Sequence, residues 1–167
     1  MNERGIISLT ALCMMIIIAI AIATVKNIAA RQADIVRYYK VENELQSVAE
    51  SHFNEVVANI SENAGAYGEL PVAPSYPKTF VIREQLTNDQ TINVTISLRK
   101  VTIYKETSTR KKIFIMSLAE LQNYNYGKYP VYRKIVGYMN EIKLNAEDTL
   151  ENDEDENEKY EFIGYIY

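Results

Sequence analysis

The sequence predicts an α+β fold. One long N-terminal helix, with a transmembrane half and an amphipathic half, packs on a mostly antiparallel sheet of about five strands. Three observations predict it. Residues 6–64 contain neither Gly nor Pro, so nothing obvious in that stretch stops a helix. Residues 65–77 then carry Gly65, Gly68, Pro71, Pro74 and Pro77, which read as a loop separating helix from sheet. Beyond them the apolar period switches to two, with β-branched and aromatic residues enriched.

In residues 6–25 only Ser8, Thr10 and Thr24 are not apolar. Twenty residues at about 1.5 Å rise span roughly 30 Å, the thickness of a bilayer's hydrocarbon core, so this half is expected to enter a membrane. Residues 26–64 become amphipathic. Ile28, Ile35, Tyr38, Val41, Leu45, Val48, Ala49, Phe53, Val56 and Ile60 recur mostly at helical spacings, with Arg31, Arg37, Lys40, Glu42, Glu44, Glu50 and Glu55 between them. A single helix through both halves would be about 88 Å long.

Five strands are expected in residues 65–167. The first covers 79–86, where Phe80 and Ile82 alternate with Val81 and Arg83. A turn cluster, Thr87-Asn88-Asp89-Gln90, separates it from the second. There Ile92, Val94, Ile96 and Leu98 alternate with polar residues, slip at Arg99-Lys100, and resume at Val101 and Ile103. The slip reads as a bulge or bend. Further strands are expected over 112–118, over 131–144 with a bend at Gly137, and over 160–167. Short connections favour antiparallel hairpins.

Charge is segregated. Residues 147–161 hold nine of the 22 acidic residues and one Lys; the other 17 basic and 13 acidic residues lie outside. The body is therefore slightly basic, and the net charge of −4 comes from one acidic loop over 145–159. The single Cys, Cys13, lies in the apolar run and His52 is the only His. An intrachain disulfide, a multi-Cys zinc site and a multi-His metal site within one chain are excluded. No nucleophile elbow, phosphate loop or His-Glu-x-x-His motif is present, and His52 borders the apolar stripe as a packing residue rather than a general base. No enzyme activity and no cofactor are expected. Nucleic-acid binding is not expected either, because the chain is acidic overall.

What precedes the apolar run adds a resemblance. Met1-Asn2-Glu3-Arg4-Gly5 is a short polar leader, and Ile6 begins the run at once. The junction resembles the class III signal of type IV prepilins. The leader with the long unbroken helix resembles type IV pilin-like proteins by motif over residues 1–64 and by architecture beyond. The resemblance implies that a prepilin peptidase cuts after Gly5, that residues 1–5 are a leader peptide, and that the new N-terminal residue, Ile6, is methylated. It implies a single-pass precursor in the bacterial cytoplasmic membrane with its C-terminal domain outside, later built into a cell-surface filament. The partners implied are other pilin-like subunits, a membrane assembly platform and the lipid bilayer before assembly. Two departures stand out: Ile6 replaces the commoner Phe or Met, and Thr10 takes the fifth mature position, usually Glu. An unpaired carboxylate is costly in lipid. Its absence suits a minor subunit in assembly initiation or near the tip, with no neighbour above to satisfy.

Two alternatives stand beside that reading. Ala21-Ile22-Ala23 has the form of a secretory cleavage site, although a cleaved signal has no reason to run on into an amphipathic helix. A single-pass protein with a ligand-binding or sensory domain outside the cytoplasm is the other. Lys26, Arg31 and Arg37 after the run, against Arg4 before it, lean towards a cytoplasmic C-terminal domain; the leader and architecture outweigh that count.

Two surface clusters remain. Asp153, Glu154, Asp155 and Glu156 belong to the acidic loop, and Asp153, Asp155 and Asn157 have the i, i+2, i+4 spacing of calcium ligands. Glu158 stands where an EF-hand needs Gly, and Gly164 where it needs Glu, so a solvated, self-repelling loop is expected and no metal site. Its natural counterpart is the basic cluster Lys105, Arg110, Lys111 and Lys112 at an expected hairpin tip, for weak salt-sensitive contacts within or between subunits. Tyr124, Tyr126, Tyr129 and Tyr132 crowd a stretch with Asn123, Gly127 and Pro130. These rings either cover the sheet or a neighbour, or form a recognition surface on a loop.

Overall fold

The computed structural model describes residues 3–86, 90–105, 108–126, 129–142 and 159–166, with side chains over 8–86, 90–103, 111–121, 131–142 and 159–166. One α-helix, α1, runs unbroken over Glu3–Glu62, 60 residues. Five strands follow: β1 Lys78–Gln85, β2 Thr91–Lys105, β3 Ser108–Tyr126, β4 Tyr129–Ile142 and β5 Lys159–Tyr165. They form one sheet in the order β1-β2-β3-β4-β5, each antiparallel to its neighbour. The α+β arrangement is as expected: a long helix packed on a five-stranded antiparallel sheet.

The chain divides into two compact units, Met1–Val41 and Glu42–Tyr167. The first consists of helix, and from Ser8 to Lys40 no described side chain is buried. The second joins the rest of α1 to the sheet. Its core has one helical face, Leu45, Ala49, Phe53, Val56 and Ile60, opposite alternate residues of the central strands. Ile92, Val94, Ile96 and Leu98 come from β2, and Ile113, Ile115, Ala119 and Leu121 from β3. Val131 and Met139 on β4 and Tyr160 on β5 add to it, with Leu70 and Leu86 from the connections. Each fully buried large aliphatic or aromatic side chain contributes about 1.5–3 kcal/mol relative to exposure. Burial on α1 starts at Val41; Ile28 and Ile35, expected to belong to the stripe, are each 51% exposed.

The helix stops at a turn formed by Asn63, Ala64 and Gly65. Asn63 Oδ1 accepts the Gly65 amide at 2.9 Å, and the Gly68 amide donates to the Gly65 carbonyl at 2.8 Å with Gly68 at φ 66°, a conformation glycine adopts without strain. Tyr67 then anchors the connection. Its hydroxyl accepts Asn59 Nδ2 at 3.0 Å, its carbonyl accepts Lys78 Nζ at 2.7 Å, and its ring lies 5.6 Å from that of Phe80. The connection was expected to lack structure of its own, yet it makes one parallel bridge, Val72↔Lys100.

That bridge bears on the expected bulge. The β2–β3 register runs without interruption through Arg99↔Phe114 and Lys100↔Ile113. The apolar pattern slips at Lys100 because its inner-face position is taken by a polar residue whose backbone pairs with Pro71 and Ala73, not because the strand bulges. The irregularities lie elsewhere, between Glu120 and Asn125 on β3 and between Tyr138 and Met139 on β4. The second adjoins Gly137, where a bend was expected.

Candidate functional site

Residues 8–25 of the first unit present an exposed apolar surface. Leu9, Leu12, Met14, Met15, Ile16, Ile17, Ile18, Ile20, Ile22 and Val25 are all more than half exposed, and 8–25 contains no charged residue. Among the described residues this is one helix long and apolar enough to cross a membrane, near the N-terminus. A helix satisfies its backbone internally, which hydrocarbon requires. Thr24 also satisfies its hydroxyl, donating to the Ile20 carbonyl at 2.9 Å. Thr10 and Cys13 lie on this exposed stretch. Gly5 and Ile6 fall in the first helical turns by backbone; their side chains lie outside those described.

Among the described residues of the second unit, polar ties cross between α1 and the sheet at three places. Arg133 Nη2 on β4 donates to Glu42 Oε1. His52, nearly buried, has Nε2 2.7 Å from Glu84 Oε1 on β1 and Nδ1 3.1 Å from Glu55 Oε2 one helical turn away. Tyr165 Oη donates to Asn54 Oδ1 at 3.1 Å. His52 is thus a cross-layer bridge rather than a passive packing residue. Its sequence neighbourhood reveals Glu55 but not Glu84. A signal for Arg133 and Glu84 does exist: alternation puts Arg133 on one face with Val131, Ile135 and Met139, and Glu84 with Phe80 and Ile82. A charge on an apolar face needs a partner.

Of the expected basic cluster, Lys111 and Lys112 have described side chains. Lys111 Nζ is 3.7 Å from Glu141 Oε1, and its amide donates to Glu141 Oε2 at 3.4 Å. Lys112 Nζ lies 4.3 Å from the centre of the Tyr138 ring. The hairpin is present, closed by the pair Lys105↔Ser108. The side chains of Lys105 and Arg110 lie outside those described, as do Asp153, Glu154, Asp155 and Glu156 entirely.

The tyrosine stretch differs from expectation in its backbone. β3 runs to Tyr126 and β4 starts at Tyr129, paired as Tyr126↔Tyr129 and Asn125↔Pro130. Tyr124, Tyr126 and Tyr129 therefore sit on strands, not on a loop; their side chains lie outside those described. The turn-forming residues Asn, Gly and Pro concentrate at the hairpin end and at the register shift, which made the whole stretch read as loop. Among the described residues no group of three His, Cys, Asp or Glu side chains could hold a metal ion. No family model, curated protein or solved structure matches the chain.

Proposed function

We propose that the chain is a minor structural subunit of a type IV pilus or related filament. It is made as a membrane-anchored precursor, cleaved after Gly5 by a prepilin peptidase, and acts in assembly initiation or near the tip. The observation that carries the reading is the continuity of α1. One helix starts at Glu3, carries an exposed apolar face through Val25, and from Val41 buries its other stretch within an α+β unit. An apolar surface so extensive needs a non-aqueous partner. The bilayer is that partner before assembly, and other pilin-like subunits take its place in the filament. The Arg4-Gly5-Ile6 junction supports processing, and Thr10 at the fifth mature position supports a place without a neighbour above. The setting is the bacterial cytoplasmic membrane, with the sheet domain outside and later on the cell-surface filament.

Intact-mass measurement of the chain purified from its native membrane tests this. Loss of residues 1–5 with one added methyl on Ile6 is the expected result. A chain still starting at Met1, or starting at Thr24, would overturn it. An intact N-terminus would favour the single-pass sensory protein instead.

A further inference from the structure

Just beyond the apolar run, α1 carries charge of one sign. Residues 26–33 contain Lys26 and Arg31 and no acidic residue; Asp34 is the first acidic residue after the run. Every side chain from Lys26 to Arg37 is exposed. No ion pair among the described residues uses Lys26, Arg31, Asp34 or Arg37. Ile28, between the two cations, is 51% exposed. All of these residues lie within the first compact unit, so the arrangement belongs to α1 alone.

Depth along the helix sorts these charges. The run ends at Val25 and is long enough for the hydrocarbon core, so the helix next crosses a headgroup layer roughly 5–8 Å thick. At about 1.5 Å per residue, Lys26 enters that layer at once and Arg31 stands about 9 Å beyond Val25. Helical Cβ atoms tilt toward the N-terminus, here back toward the bilayer, so the long Arg31 side chain lowers its guanidinium into the layer. The two cations leave the helix about 140° apart and therefore meet different lipids. Asp34 and Arg37, about 14 and 18 Å beyond Val25, stand clear of it. The anion this layer supplies is lipid phosphate. Arg binds phosphate through paired hydrogen bonds, and Lys meets it as a point charge.

We infer that Lys26 and Arg31 bind the phosphates of anionic lipids, so that α1 collects such lipids around its exit from the bilayer. The inference rests on the membrane-anchored reading above. With the C-terminal domain outside, these cations stand on the side where basic residues are usually sparse. A lipid contact on that side accounts for them.

The chain has no Trp, so Ile28→Trp places a single fluorescent reporter between the cations. Full-length protein with that change is reconstituted in phosphatidylcholine vesicles. These hold an equal minor fraction of either phosphatidylglycerol or phosphatidylcholine brominated near the glycerol end of its chains. Quenching should be several-fold stronger with the anionic lipid. The preference should fall toward equality at high salt and with Lys26→Gln plus Arg31→Gln, and it should survive Arg37→Gln. All three basic residues are exposed, so the fold tolerates these changes. A preference indifferent to salt and to the Lys26 and Arg31 changes, or one lost equally on Arg37→Gln, would overturn the inference. Strong but equal quenching by the two lipids sinks the headgroup contact and leaves the anchor standing. No quenching by either lipid sinks both. Intact mass of the N-terminus bears on the filament reading and is read separately.

Discussion

Phe53 occupies the space that a side chain at position 137 would need. A Cβ built on Gly137 would stand 2.6 Å from Phe53 Cζ, 3.0 Å from the Gly164 carbonyl oxygen and 3.1 Å from Phe162 Cε2. The Phe53 ring also meets those of Phe162 at 5.7 Å and Tyr165 at 5.3 Å between centres. Gly137 is thus the floor of an aromatic cluster that ties α1 to β4 and β5, and its value lies in having no side chain.

Gly137→Ala should therefore destabilise by about 1–3 kcal/mol through overpacking, and Phe53→Ala by about 3–5 kcal/mol through a cavity. The two should not add. In chains with Phe53→Leu the Gly137→Ala penalty should shrink, a coupling that a double-mutant cycle from urea melts in detergent would read. Full additivity would show that the two residues do not share the space.

Ser117 lies fully buried with its Oγ unpartnered, on the apolar face of β3 between Ile115 and Ala119. Removing an unsatisfied buried hydroxyl relieves its desolvation penalty. Ser117→Ala should leave stability unchanged or raise it by about 1 kcal/mol. A clear loss in the same melts would mean the hydroxyl has a partner.

His52 links α1 to β1 through Glu84. Deleting either partner of a part-buried hydrogen bond costs about 1–3 kcal/mol, so Glu84→Ala and His52→Ala should each destabilise by about that amount. Hydrogen exchange should speed up in β1 more than in β3, because β1 is an edge strand held on one side only. Uniform acceleration would argue against a local tie.

The proposed cleavage after Gly5 gives a prediction of another kind. Gly5→Val should leave the leader attached, visible as an intact Met1 by mass, while folding of the sheet is unaffected because the Glu42–Tyr167 unit is built without it. Normal trimming in that variant would remove Gly5 from the recognition step.

The helix and the sheet were legible because period and punctuation are local. The absence of Gly and Pro over 6–64, and the alternation in β2, each require only a window of sequence. Partnerships across the chain were not. Nothing near His52 announces Glu84, and Gly137 reads as a bend until Phe53 is placed against it. The tyrosine stretch was misjudged for a related reason: the turn residues at a hairpin end and a register shift mimic a loop, whereas the β3–β4 pairing that overrides them is a tertiary fact.

The order β1-β2-β3-β4-β5 has a kinetic consequence. Every strand pairs with the one before it in the chain, so each closure spans a short stretch and the sheet can form progressively, without waiting for distant segments. The β4–β5 connection closes a pair that already lies at the sheet's edge. Closure entropy grows only logarithmically, about 0.6 kcal/mol for each doubling of loop length. The length of the β4–β5 connection can therefore change with little effect on folding.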